Sequence, residues 1–544
     1  MYARAHKLTA WHIGIGMGAL FIGGSMGPLQ KLEHVGVNFY TTLSKLGIAT
    51  YYQGLTLHAV LNALVWTTFF ITGFLTFTTA HSLERKLTHP KVNTAGLIIM
   101  VVGLLLAAYP ILMNLATVLF TFYPPMKANP LFYIGLTLVV VGSWVVGLGL
   151  YLTYGAWRKE NPGVQTPLIA LGSIITMVMW QIATLGIATE MLWLLIPWSL
   201  GLVDGIDPQL ARTFFWFTGH PLVYFWLLPA YISWYGMMPK QAGGKLFSEP
   251  MARLVFWLFL ALSVPVGIHH QYLDPGVPIG WKVLHSILTY SLFIPSMMTA
   301  FNVIASLEIG GRNRGGTGLL GWVKALPWDD PSYTAQNLAM ILFAFGGIGG
   351  LTNASYNLNL VIHNTSWVSG HFHLTVGSAV TLSFFGISYW LVPKLSGKQL
   401  WNRKVALWQA WTWFVGMILM SNGLHILGLN FGVPRRTMLG VAPYASADWN
   451  PMLIEAAVGG VILGISGLLF YMNILGTVFS KKKLEAAIEM PVAEPYEPTP
   501  APALLDNWRP WLVLTVALIL VSYGPILFDM ISNLSLTSPG FKVW

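Results

Sequence analysis

The chain has 544 residues, of which 55% are hydrophobic and only 9% charged. Soluble domains carry roughly 25% charged residues, so this is an integral membrane protein rather than a set of soluble domains. It has no cysteine, which excludes disulfides, thiolate metal ligands, iron–sulfur clusters and a thiolate copper centre from this chain and leaves electron-transfer chemistry to histidines. The formal charge of +10 would suggest nucleic-acid binding in a soluble protein; here it fits cationic loops facing the cytoplasm and anionic lipid, and no nucleic-acid partner is expected.

Apolar runs of about 20 residues or more predict one all-α polytopic bundle. In chain order the thirteen predicted spans lie near 10–28, 55–80, 93–118, 130–155, 166–197, 213–237, 252–270, 281–306, 334–351, 364–392, 405–429, 452–478 and 510–531. MYARAHK leads straight into the first span, and no cleavable signal is expected there. Placing Arg4 and Lys7 in the cytoplasm puts Arg85, Lys86 and Lys91, then Arg158 and Lys159, Lys240 and Lys245, Arg312 and Arg314, Lys394 to Lys404, and Lys481 to Lys483 on that side. The positive-inside pattern thus predicts a multi-pass protein with its N-terminus cytoplasmic and its C-terminus outside; the resemblance given below implies a prokaryotic plasma membrane. Residues 1–544 read as a single membrane domain, with 484–508 a cytoplasmic linker before the last helix; Glu485 to Pro502, with four Glu and many Pro, is expected to be extended. Arg435 and Arg436 break the charge rule on the outer side and require an anion nearby. The 24 Trp, 21 Tyr and 29 Phe are accounted for mostly by interface belts and packing.

Six of the 14 histidines stand out. His58 lies near the start of span two, His220 near the start of span six, His269 and His270 at the end of span seven, and His371 and His373 near the start of span ten. With the orientation above, all six fall in the outer part of the membrane, where ionisable groups are costly and functional by default. His371 and His373, one residue apart, point to nearly opposite faces of a helix, so one helix wall separates two metal centres. One partition uses every histidine once: His58 with His373 on a six-coordinate haem, His371 on a second haem with its sixth position open, and His220, His269 and His270 on copper facing that position. Tyr224, four residues after His220, shares its helix face and could donate a proton and an electron to oxygen bound there.

The motifs YYQGLTLHAVLNA around His58, FTGHPLVYFWLLPAY from Phe217, GIHHQYLDPG from Gly267, HNTSWVSGHFH from His363 and VPRR ending at Arg436 closely resemble subunit I of the haem-copper oxidases, in particular the B-type (ba3-type) terminal oxidases, over nearly the whole chain. The resemblance implies a bundle of twelve or thirteen helices around a low-spin haem b held by His58 and His373, a high-spin haem of a, as or o type on His371, and copper (CuB) on His220, His269 and His270. It further implies a covalent bond between Tyr224 and the His220 ring, and Arg435 and Arg436 set against haem propionates. The activity implied is cytochrome c oxidation by a proton-translocating terminal oxidase that reduces O2 to water. A subunit II with a two-copper centre would pass electrons from cytochrome c, with a small single-helix subunit as a further partner.

Protons need a route. Tyr231 and Tyr235 follow Tyr224 at seven and eleven residues, and Ser296, Thr299 and Asn302 recur at intervals of three on span eight. Together they form a polar ladder toward the copper site that resembles the single proton-uptake route of B-type oxidases. Three positions bear on that resemblance. Asn302 stands where better known B-type relatives carry Thr, Asn359 where they carry Asp near the high-spin haem propionates, and Val223 where A-type oxidases have a glutamate ending a second proton route. The alternatives are a nitric oxide reductase of the same superfamily, which would carry glutamates around non-haem iron, and a proton-coupled secondary transporter, which would bind no haem.

Overall fold

The computed structural model describes residues 2–534 and 537–543. The membrane segments in chain order are α1 (Ala3–His34), α2 (Tyr51–Ser82), α3 (Pro90–Leu112), α4 (Pro130–Glu160), α5 (Leu168–Ser199), α6 in two pieces (Pro208–Gly219 and Pro221–Gly236), α7 (Glu249–Leu262), α8 (Ile279–Asn313), α9 (Pro331–Ala354), α10 (Ser366–Ser396), α11 (Arg403–Phe431), α12 (Ala447–Val478) and α13 (Trp508–Ser532). Among the described residues, eleven of these are single helices long and apolar enough to cross a membrane; α6 and α7 are the exceptions. The fold is the all-α bundle expected, but spans six and seven are jointed rather than continuous.

Both joints follow from proline. In α6, Pro221 has no N–H to bond the carbonyl one turn back, and the neighbouring His220 N–H to Trp216 bond is stretched to 3.5 Å, so the helix is interrupted at His220. In α7 the helix ends at Leu262, Val264 precedes Pro265, and the chain continues as a 3-10 turn over Gly267–Gln271. Periodicity also missed three π-helical stretches inside longer helices: Val60–Trp66 in α2, Glu190–Leu195 in α5 and His373–Val380 in α10. Such bulges gather at functional sites. Here two of them follow at or just after the histidines of α2 and α10.

Burial orders the bundle. In α2 and α10, 83% of the apolar window is buried against 28% in α13, so the histidine-bearing helices form the inner set. Outer pairs close on glycine. Between α3 and α4 a Cβ at Gly103 would lie 2.6 Å from the Gly135 carbonyl oxygen, and one at Gly142 would lie 2.7 Å from the Met100 nitrogen. Small residues let the two backbones approach where lipid supplies no hydrophobic drive. A two-residue parallel pair, β1 (Met126–Lys127) with β2 (Phe541–Lys542), ties the C-terminal segment to the loop between α3 and α4.

Replacing Gly103 with Val forces α3 and α4 apart. We expect a destabilisation of about 1–3 kcal/mol, read as a lower thermal inactivation temperature with the visible spectrum of the remaining folded fraction unchanged.

Candidate metal centres and polar ladder

The joints of α6 and α7 place three imidazoles together. One ligand atom each from His220, His269 and His270 lies within 4.8 Å of the others, and His220 Nδ1 is 3.2 Å from His270 Nε2. Their orientation is fixed from outside the trio. His269 Nδ1–H donates to the Val266 carbonyl at 2.7 Å and to Thr289 Oγ1 at 3.1 Å. Thr289 gives its own proton to the His285 carbonyl, so its oxygen accepts and the Nε2 lone pair of His269 is left for a metal. The His270 ring stacks on Trp216 with centroids 3.8 Å apart and planes within 7°. His220 Nε2 is buried without a hydrogen-bond partner, and the Tyr224 ring lies 5.3 Å from the His220 ring. Three convergent imidazoles, two buried and His270 partly so, fit a copper ion.

The second group joins α2 to α10. The His58 and His373 rings are 6.2 Å apart by centroid with planes within 15°. Metal–imidazole bonds are on the order of 2 Å, so this gap has the width of one metal ion with a nitrogen on either side. His58 Nδ1–H donates to the Gly23 carbonyl at 2.9 Å and His373 Nδ1–H to the Ser369 carbonyl at 2.7 Å, which leaves both Nε2 atoms as ligands. The two rings line a cavity of about 480 Å³ that also meets Phe372, Arg435 and Arg436. Its size and its paired nitrogens fit a haem.

His371 stands apart from both groups. It turns to the other face of α10, stacks against Trp367 at 6.0 Å, and its Nδ1 is buried without a hydrogen-bond partner. The ring is admitted by Gly349 of α9, where a Cβ would sit 2.6 Å from Nδ1.

Arg435 and Arg436 sit in a strained turn. Arg436 and Asn364 both have left-handed backbones, at φ +61 and +58, held by the Arg435 N–H to Asn364 carbonyl bond of 2.9 Å and an antiparallel bridge between Thr365 and Pro434. Arg435 donates to Asn364 Oδ1 at 3.0 Å, and Arg436 donates to Thr121 Oγ1 at 2.8 Å and lies 4.9 Å from the Phe120 ring centre. Arg435 Nε and Arg436 Nη2 remain buried and unpartnered. A buried guanidinium nitrogen with no acceptor calls for an anion, which haem propionates would supply.

The ladder is partly assembled. Tyr235 donates to Thr299 Oγ1 at 2.6 Å, and Asn302 exchanges two hydrogen bonds with the Ser248 backbone. Tyr231 is fully buried but its hydroxyl has no hydrogen-bond partner, and Ser296 turns its proton back to the Leu292 carbonyl at 2.9 Å. Asn359 donates to the Asn353 carbonyl at 2.8 Å and accepts from His363 Nδ1 at 3.2 Å. Burial first, then the cations of Arg435, Arg212 and Arg436, push His363 down to about 4, so Asn359 bonds a neutral ring. Val223 lines an apolar cavity of about 130 Å³ that reaches His270 and Phe372.

Several supporting residues escape sequence reasoning. Thr289, Gly23, Thr121 and Ser248 meet their partners through tertiary contacts that no periodicity announces, whereas Val266 and Ser369 hold His269 and His373 from three and four residues away in the same segment. Asn364 alone carried a signal, since asparagine is among the few residues that adopt the left-handed region readily.

Comparison with known proteins gives the same picture. Residues 7–462 match the family described as Cytochrome C and Quinol oxidase polypeptide I. The chain is 43% identical to cytochrome c oxidase subunit 1 of Thermus thermophilus, over 99% of this chain and 97% of that protein. It is 25% identical to the alternative cytochrome c oxidase subunit 1 of Bradyrhizobium diazoefficiens, over 83% and 78% of the two chains. Its fold superposes on a heme-copper terminal oxidase dimer solved by electron cryo-microscopy with a TM-score of 0.94 and 39% identity, covering 100% of this chain and 95% of that one. Convergent imidazoles on jointed helices, a facing pair across α2 and α10, and similarity along the whole length make this chain a member of the Cytochrome C and Quinol oxidase polypeptide I family, the haem-copper oxidases.

Proposed function

We propose that this chain is the catalytic subunit of a B-type terminal oxidase, taking electrons from cytochrome c through a two-copper centre on subunit II and reducing O2 to water in a prokaryotic plasma membrane. A small single-helix subunit completes the expected assembly. The observation that carries the reading is the division of α10: His373 faces His58, while His371 turns to the opposite face, with Phe372 between them in sequence and lining both cavities.

His58 and His373 would hold the low-spin haem, His371 the high-spin haem, and His220, His269 and His270 the copper. These groups supply electron storage and the site at which O2 is bound and reduced. The protein's own residues supply the rest. The carbonyls of Gly23, Ser369 and Val266 fix the tautomers of His58, His373 and His269. Arg435 and Arg436 bring cations to the anionic edge of the haems. The apolar cavity beside Val223 and His270 offers O2 a dry approach. Tyr224, one turn beyond His220, presents a phenol whose proton can pass to reduced oxygen, and the unpartnered His220 Nε2 leaves room for the expected bond between the two rings.

Protons for Tyr224 would come from the cytoplasmic side through Asn302, Thr299, Tyr235 and Tyr231, with Ser296 rotating from its backbone bond to join them. Electrons arriving from outside and protons from inside make the reaction electrogenic, and each charge moved across 100 mV stores about 2.3 kcal/mol. Val223 favours this reading over a nitric oxide reductase, because the cavity wall it forms beside the trio is apolar and carries no glutamate. A transporter has no use for two facing imidazoles whose remaining nitrogens are both locked to backbone.

Metal analysis of the purified complex tests the reading: beyond the coppers of subunit II, this subunit should hold two irons and one copper, and three irons without that copper would overturn it. Thr289→Val removes one acceptor from His269 and is expected to weaken copper retention about 10–100-fold against a chelator, with both haem spectra intact. Tyr224→Phe should lower O2 reduction at least about 100-fold while cytochrome c still reduces the low-spin haem. Thr299→Val should slow proton uptake about tenfold or more, measured with a pH dye in single turnover, with the metal content unchanged.

A further inference from the structure

Asn302 is bound in an unusual way for a rung of a proton ladder. Its Oδ1 accepts from the Ser248 N–H at 3.0 Å and its Nδ2 donates to the Ser248 carbonyl at 2.8 Å, so both ends of the amide close on the backbone of one residue. One residue earlier, the Phe247 N–H donates to Ser306 Oγ at 2.9 Å, and Ser306 gives its proton to the Asn302 carbonyl at 2.6 Å. Asn302 and Ser306 are fully buried. Residues 246–248 therefore lie along the side of α8 below Thr299, two to three turns before the helix ends at Asn313, on the side of the bundle that carries the N-terminus.

The other edge of the same segment is held by the linker. The Leu246 N–H donates to the Glu494 carbonyl at 2.9 Å, and the Tyr496 N–H donates to the Leu246 carbonyl at 2.8 Å. A parallel bridge joins Leu246 to Pro495, and the Ala493 N–H donates to the carbonyl of Gly236 at the end of α6 at 2.7 Å. The ion pair of Lys245 with Glu494 at 3.2 Å joins side chains that are 48% and 69% exposed, so it adds little. Backbone hydrogen bonds from a distant, proline-rich stretch do the holding.

We propose that residues 245–248 form a lid across the cytoplasmic end of the proton ladder, clamped between Asn302 and the linker segment 493–496, and that opening of this lid limits proton uptake. The inference rests on the ladder of the proposed function. Asparagine suits the clamp because it has separate donor and acceptor atoms about 2 Å apart, where threonine has a single oxygen. Water reaches Thr299 only when the segment lifts and the Asn302 amide is released to solvent. The linker, outside the membrane core, thereby sets how often the route opens without touching a metal ligand.

The test uses the purified complex and two variants. Ala493→Pro with Tyr496→Pro removes two of the three backbone donors that join the linker to Gly236 and Leu246, in a stretch already rich in proline. Amide hydrogen exchange at 246–248 should rise about tenfold, and single-turnover proton uptake, read with a pH dye, should quicken at least about threefold, with haem reduction by cytochrome c unchanged. Asn302→Thr, which keeps a hydroxyl in the ladder but loosens the clamp, should quicken uptake in the same direction. Unchanged or slower uptake in the double variant overturns the proposal, as does unchanged exchange at 246–248. Thr299→Val separates the two readings: if it leaves uptake unaffected the ladder itself is wrong, whereas slowed uptake in that variant with no gain in the double variant removes the lid alone.

Discussion

Each imidazole of the facing pair, and one of the trio, has one ring nitrogen committed to a main-chain carbonyl. Gly23 binds His58, Ser369 binds His373 and Val266 binds His269, at 2.7–2.9 Å. In a membrane interior this bond does two things at once. It satisfies a polar hydrogen that no water can reach, and it fixes which nitrogen offers a lone pair to a metal. The rest of the architecture serves to provide those carbonyls at the right height. Gly23 and Ser369 offer their carbonyls from helical turns of α1 and α10, and Val266 offers its own from the turn after α7 ends at Leu262.

The departures from regular helix are of distinct kinds with distinct physical origins. In α6 and α7, proline interrupts the ladder and frees the backbone near His220 and His269. In α2 and α10 the chain stays helical but widens to π turns beside His58 and His373, shifting the register of everything that follows. Close packing then has to tolerate the wide rings, and glycine provides the room: Gly27 lies against His58 and Gly349 against His371, with a Cβ at either position 3.0 Å or less from a ring atom. The cost of irregular backbone is met by burial, and α2 and α10 are the most enclosed of the eleven continuous spans.

Charge is organised by the same logic. The two arginines on the side opposite the N-terminus keep unpartnered nitrogens in a buried setting, which is unfavourable without an anion. Their turn is strained, and the strain is held by bonds to Asn364, Thr121 and the Phe120 ring. Asn359 near this cluster makes a neutral hydrogen bond to His363 and adds no charge to an area rich in cations.

The sequence by itself determined the class of protein, the helical bundle and the six histidines, because hydropathy, loop charge and rare ionisable residues in apolar runs are local properties that survive without a structure. It also determined that His371 and His373 look to different faces, since helix geometry alone sends residues two apart to nearly opposite sides. Only the tertiary structure decided that spans six and seven are jointed, that Ser296 points away from the ladder while Asn302 is clamped to Ser248, and that a linker some 190 residues farther along the chain reaches that clamp. Hydrogen-bond partners across helices depend on register and crossing geometry, and proline, π bulges and glycine contacts change these by a fraction of a turn. That fraction is invisible in composition, yet it is enough to aim an imidazole or to tie Asn302 to the Ser248 backbone.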